Sequence, residues 1–194
     1  QELKTVIDVG ANKGQFSLMI KKIFPDANIF AFEPLNRPYQ KFLKIFNDMA
    51  NVNIYKYAIG PFRDKVLMNV SKREDSSSIL EIGILQNKIF PGTGKINEEM
   101  IEVIPIDNLL KLENIQKPSL LKIDVQGYEL EVLKGCRRML AKIDYIYCEC
   151  SFVDLYKNQA IYYQVCEWLY NYNFSVASIY NASYDQKGQM VQAD

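Results

Sequence analysis

Apolar positions recur along this chain with two alternating periods. Short runs rich in β-branched and aromatic residues at 6–9, 28–33, 52–59, 65–70, 101–106, 120–125 and 143–150 read as strands. Between them, spacing of the i, i+3, i+4, i+7 kind predicts helices. The first carries Phe16, Met19, Ile20 and Ile23 and stops before Pro25; the second carries Tyr39, Phe42, Leu43 and Phe46. A helix from Gly127 to about Leu140 and one with the stripe Tyr162, Val165, Cys166 and Leu169 follow the same rule. Asp107 and Asp154 are placed to cap short helices, the first ending at Leu112. The run 143–150 alternates weakly, as a central strand buried on both faces does. Segments 174–180 and 189–194 are candidate final strands, Ser71–Ser78 reads as a loop or lid, and 80–99 shows no clear period. Strands alternating with helices define an α/β, doubly wound, mostly parallel sheet in one domain over 1–194. Its ligand belongs outside the carboxyl ends of the strands, at the switch point beside the first strand. Asp8, Glu33, Ala58, Asp124 and Glu149 all fall near such ends.

The stretch VIDVGANKG, residues 6–14, sharpens that picture. A buried strand delivers the chain to a turn holding Gly10, Asn12 and Gly14, where backbone can approach a ligand closely. Glu33, closing the second strand in FAFEP, can accept hydrogen bonds from both hydroxyls of a ribose. A dinucleotide fingerprint requires glycines where this chain has Asn12 and Gln15. Asp8 repels a pyrophosphate but can meet a cationic amino group directly or through water. The turn therefore favours S-adenosyl-L-methionine over NAD. Asp8 has a second reading, as a cap for the following helix.

Composition narrows the chemistry. The 194 residues are 48% hydrophobic and 24% charged, with 23 basic and 23 acidic side chains. A chain of zero net charge lacks the broad positive field of a general nucleic-acid binder, although a local basic patch is not excluded by that count. No apolar run reaches membrane-spanning length and no signal peptide opens the chain. Cys136, Cys148, Cys150 and Cys166 form no CxxC pair and read as reduced thiols, pointing to a cytoplasmic protein. There is no histidine, which removes Ser-His-Asp and Cys-His catalysis and leaves proton transfer to carboxylates, Lys, Tyr, Cys or water. No metal-ligand motif stands out. Both ends read as trimmed, Gln1 lying just before the first strand and Asp194 within what looks like another.

Five segments, VIDVGANKG at 6–14, FAFEP at 30–34, YAIG at 57–60, LLKIDVQGYELEVLKG at 120–135 and YCECSFVDLY at 147–156, resemble the FkbM-type methyltransferases, a branch of the class I S-adenosylmethionine-dependent enzymes. The resemblance implies a Rossmann-like sheet of order 3-2-1-4-5-7-6 with strand 7 antiparallel, and O-methylation of a hydroxyl on a small molecule, glycan or lipid-linked sugar. It implies that Gly10, Asn12 and Gly14 shape the turn around the methionine part of the cofactor. Glu33, with Pro34 behind it, takes the ribose, and Ala58 and Ile59 flank the adenine. Asp124 orients the amino group or faces the acceptor hydroxyl, and is the first candidate base if burial raises its pKa; Glu149 is a second acceptor-side carboxylate. The bland readings stand beside these: strand-end acids, core packing for Ala58 and Ile59, a helix-dipole role for Glu129, solvated Ser76, Ser77 and Ser78, and tyrosines at Tyr156, Tyr162, Tyr163, Tyr170 and Tyr172 that pack or offer a stacking surface. DVQG replaces the paired prolines of N-methylating enzymes and weakly favours oxygen as acceptor. The family usually has Glu where this chain has Gln126, which motivates the alternative of a non-catalytic S-adenosylmethionine-binding module; an NAD-dependent oxidoreductase is the remaining alternative.

Overall fold

The computed structural model describes residues 2–194. The chain forms two compact units. One comprises the chain up to Val66, Met100–Asp124 and Glu131–Tyr147; the other comprises Leu67–Glu99, Val125–Leu130 and Cys148–Asp194.

The first unit is built on β1 (Thr5–Val9), β2 (Asn28–Phe32) and β3 (Val52–Tyr55), with α1 (Gln15–Ile23) and α2 (Asn36–Phe46) as crossovers. β4 (Ala58–Ile59), β5 (Asp64–Ser71), α3 (Ile84–Ile89), β6 (Lys95–Ile104), β7 (Ser119–Ile123), α4 (Glu129–Gly135) and β8 (Tyr145–Cys148) follow. The main sheet has the order β3-β2-β1-β7-β8. β1 pairs in parallel with β2 and with β7, and all five of its residues are buried, as a strand covered on both faces requires. On one side, Val6, Ile29 and Ala31 pack with Ile20, Phe42 and Phe46 from the two helices.

The last part of the chain adds β9 (Cys150–Ser151), α5 (Tyr162–Tyr170), β10 (Ser183–Tyr184) and β11 (Met190–Ala193). β11 lies between β9 and β10 and is antiparallel to both. Only Glu149 separates β8 from β9 in the chain. The main sheet thus meets the first part of the expected order, 3-2-1-4-5, while the last strands form a separate three-stranded sheet.

Several elements differ from expectation, each for a physical reason. The run 52–59 is two strands: β3 pairs with β2, whereas β4 pairs in parallel with β6. Apolar periodicity cannot show where a run changes partner. Helix α1 turns Ser17 and Ile20 inward and leaves Met19 and Ile23 45% and 58% exposed, because the Ser17 hydroxyl donates to buried Asp8 at 2.7 Å and sets the helix's rotation. The run 143–150 breaks at Glu149 and is half-buried, with Tyr145 exposed. Asp107 caps a later segment: its carboxylate accepts the N–H groups of Arg138 (2.9 Å) and Met139 (3.0 Å), opening the 3-10 turn Met139–Lys142. Asp154 starts no helix; α5 begins at Tyr162, with Gln164 Oε1 accepting the Ile161 N–H. Segment 174–180 forms no strand, and 80–99 holds α3 and the first half of β6. In the loop Ser71–Ser78 the charged residues Lys72, Arg73 and Asp75 are exposed, but the serines are not solvated. Ser71, Ser76, Ser77 and Ser78 are buried, with Ser71 Oγ donating to Thr93 O (2.9 Å) and Ser77 Oγ accepting the Ser71 N–H (3.0 Å).

Helix α4 stops at Gly135 rather than near Leu140, where its backbone meets Gly60. A Cβ at 135 would stand 2.3 Å from Gly60 O and 2.7 Å from Gly60 C, so there is no side chain to swing aside. Gly135→Ala is expected to cost about 2–3 kcal/mol, an overpacking penalty read from urea unfolding; an unchanged midpoint would show that the backbones separate freely.

Candidate functional site

Strand register brings three chain ends to one level. Val9 lies opposite Phe32 on β2 and opposite Ile123 on β7. The residues that follow, Gly10, Glu33 and Asp124, therefore leave the sheet side by side at its carboxyl edge. Backbone bonds fix their exits: Gly10 and Ala11 N–H donate to Phe32 O (3.0 Å each), Asp124 N–H to Val9 O (3.1 Å) and Glu33 N–H to Tyr55 O (3.1 Å).

The turn after β1 is left-handed at Gly10 (φ 77°), Asn12 (φ 48°) and Gly14 (φ 89°). Glycine suits two of these, and asparagine is among the few side chains that tolerate the third. Gly14 is also hemmed in, since a Cβ there would lie 2.5 Å from the Phe46 ring and 2.8 Å from that of Phe42.

Glu33 fastens this turn. Its Oε2 accepts the Asn12 N–H at 3.0 Å and its Oε1 the Leu35 N–H at 2.8 Å. The residue is 5% exposed, and burial pushes its pKa up to about 7, against the opposing pull of those two N–H groups and of Lys122. Asn12 Oδ1 is buried and has no hydrogen-bond partner. An orphaned acceptor beside a carboxylate with spare lone pairs is a cradle for a ligand rich in donors, and hydroxyl and amino groups fit it. Pro34, Ala58 and Ile59 are buried in the same unit, the last two paired with Val103 and Ile104.

Asp8 makes its contacts within the protein. It is fully buried, its Oδ2 accepts the Ser17 hydroxyl, and its Oδ1 faces Lys122 Nζ at 3.1 Å as an ion pair without hydrogen-bond geometry. Lys122, opposite Asp8 in the β1–β7 register, also donates to Gly10 O (2.8 Å) and Val9 O (3.4 Å). Sequence reasoning missed this lysine. Its signal was a cation in the middle of LLKIDV, inside a strand expected to be buried. Asp124 is partly exposed at the end of β7: its side chain is 39% exposed and lies 3.8 Å from Lys122.

Glu149 belongs to the second unit. There Gln126, buried and left-handed at φ 59°, donates from Nε2 to Glu149 Oε2 (2.5 Å) and accepts the Tyr156 hydroxyl on Oε1 (2.7 Å). Ser78 Oγ donates to the Gln126 carbonyl at 2.6 Å. Glu129 closes the same turn by accepting the Gly127 N–H at 2.9 Å, so its work is local. Cys148 and Cys150 bring their sulfurs to 3.8 Å, and the bond to Cys150 together with burial pushes the Cys148 thiol up. Phe152 and Tyr162 stack at 4.3 Å. Among the described residues, no group of three or more Cys, Asp or Glu is arranged to hold a metal ion, and no helix is long and apolar enough to cross a membrane.

A parallel sheet of this order, with a left-handed turn after its first strand and an acid closing its second, defines a class I methyltransferase fold. The chain belongs to the FkbM methyltransferase domain family, which matches residues 8–176. It is 30% identical over 145 residues, 73% of its length, to the hexuronic acid methyltransferase AglP of Haloferax volcanii, and 22% identical over 163 residues, 79% of its length, to the 2-O-methyltransferase NoeI of Sinorhizobium fredii. These matches span 54% and 66% of the two relatives. In fold it is similar to an FkbM methyltransferase of Methylobacillus flagellatus, with a TM-score of 0.55 at 14% identity over 98% of this chain and 43% of that one.

The raised pKa of Glu33 has a definite sign. Folding favours the protonated acid, so its contribution to stability is complete below about pH 4.5 and is lost as pH rises to about 7. Over that window the wild type is expected to lose about 3 kcal/mol of this contribution relative to Glu33→Gln, measured by urea unfolding at successive pH values. Parallel pH profiles for the two proteins would rule out a buried titrating acid at position 33.

Proposed function

We propose that this chain is the catalytic domain of an S-adenosylmethionine-dependent O-methyltransferase acting on a sugar or glycan hydroxyl. The observation that carries the reading is the donor-seeking cradle of Glu33 and Asn12 Oδ1 at the mouth of the turn. Ribose hydroxyls match the Glu33 carboxylate and an amino group matches the orphaned amide oxygen. A pyrophosphate brings only acceptors to a turn already lined with them, which supports a sulfonium nucleoside over NAD.

When bound, S-adenosylmethionine supplies a methyl group on a positively charged sulfur, already activated for transfer. The protein's share is to hold the nucleoside, align the acceptor oxygen and receive its proton. Glu33 grips the sugar, and the left-handed turn admits the amino-acid portion past Gly10. Ala58, Ile59 and Pro34 supply apolar surface for the base. Asp124 is the accessible carboxylate at the end of β7 and the candidate to receive the proton. The names of AglP and NoeI support an oxygen acceptor on a sugar. Four unpaired thiols support a reducing, cytoplasmic setting.

Calorimetric titration with S-adenosylhomocysteine tests the cofactor. Binding is expected to strengthen as pH rises through about 7, because ribose hydroxyls need the ionised Glu33 as acceptor. Glu33→Ala is expected to weaken it by about 10- to 100-fold, the loss of charge-assisted hydrogen bonds. Radiolabelled methyl transfer to uronic-acid-containing oligosaccharides tests the reaction. Asp124→Asn is expected to slow it by about 10²- to 10⁴-fold while changing homocysteine-nucleoside affinity only a few-fold. Absence of any binding at pH 8 would reject the proposal.

A further inference from the structure

A buried lysine in the middle of a sheet has a desolvation cost that must be offset locally. Lys122, with 7% of its side chain exposed, offsets it with Asp8 at 3.1 Å and with two backbone carbonyls, Gly10 O at 2.8 Å and Val9 O at 3.4 Å. Those carbonyls belong to the last residue of β1 and the first of the turn. On its amide side the same turn is held by Phe32 O, which receives the N–H groups of Gly10 and Ala11, and by Glu33, which receives that of Asn12. The turn is therefore clamped from both sides, and one side is a single ammonium group.

We propose that Lys122 is a positioning residue for the cofactor: by drawing the Val9 and Gly10 carbonyls onto its ammonium, it forces the left-handed exit from β1 that places Asn12 on Glu33 and keeps the nucleoside cradle open. It acts through the turn and through Glu33. This rests on the cofactor reading above. The arrangement also has an electrostatic side. The groups acting on Glu33 are Lys122 from β7, Asp8 from β1, and the Leu35 and Asn12 N–H groups; the first two have opposite sign. Removing Lys122 alone leaves Asp8 opposing ionisation of Glu33, whereas removing both charges cancels most of the effect.

The test compares wild type, Lys122→Met and the charge-neutral double variant Asp8→Asn/Lys122→Met, which avoids stranding a buried carboxylate and keeps an acceptor for Ser17. Two readouts are used: S-adenosylhomocysteine titrations from pH 6 to 9, and hydrogen exchange at the Gly10, Ala11 and Asn12 amides. Lys122→Met is expected to move the midpoint of the binding profile to higher pH and to weaken binding at pH 8 by about tenfold or more. In the double variant the midpoint returns toward that of wild type, but the weaker binding persists and the three amides exchange at least about tenfold faster, since the carbonyl clamp is still missing. A double variant that binds within twofold of wild type, or whose turn amides keep their protection, would show that Lys122 only neutralises Asp8, and would overturn the proposal. Wild type that fails to bind the nucleoside would reject the cofactor reading instead, and amide exchange alone would then decide the role of Lys122.

Discussion

The arrangement at the sheet's carboxyl edge depends on one buried ion pair, Asp8 on β1 with Lys122 on β7. A pair of this kind is a poor source of net stability, since the desolvation of two charges consumes most of their attraction. Its value lies in what each partner must do with its remaining capacity. Asp8 takes the Ser17 hydroxyl and so fixes the rotation of α1. Lys122 takes two carbonyls and so fixes how the chain leaves β1. The two central strands, the first helix and the turn between them are thereby set by a handful of polar bonds inside an otherwise apolar layer.

Glu33 shows the same economy. It is a strut bonded to two backbone N–H groups, and it follows the last residue of the second strand at the sheet's carboxyl edge. Burial dominates its titration and the N–H groups only partly restore the ionised form. A carboxylate spent on the scaffold would ordinarily be fully paired; this one stands beside an orphaned amide oxygen, Asn12 Oδ1, so that the unmet hydrogen bonding of the turn is concentrated where the strands end.

Much of this was legible in the chain. The first strand, the glycine turn and the acid closing the second strand are all local signals, and parallel pairing places them together at the switch point without further information. The order of the main sheet came from the family resemblance rather than from any local signal, and the structure bears it out. What was hidden was non-local. The apolar stripe of α1 pointed to Met19 and Ile23, but a serine bonded to a buried acid outranked them. Asp107 looked like a local cap and serves a segment thirty residues on. Ser76, Ser77 and Ser78 looked solvated because composition does not reveal that Gln126 O and the Ser71 N–H await them. Lys122 was passed over because a strand's periodicity says nothing of its partner's identity.

Gln126 meets Glu149 with an amide rather than an acid, and that has a chemical meaning. Its amide nitrogen lies 2.5 Å from a Glu149 oxygen while its amide oxygen takes the Tyr156 hydroxyl. A glutamate in the same rotamer would set two acids face to face, and such a dyad has to share one proton. With an amide there, the neighbour's oxygen receives a hydrogen bond where it would otherwise meet a rival for that proton, and the acid–acid couple becomes a single acid with a fixed escort.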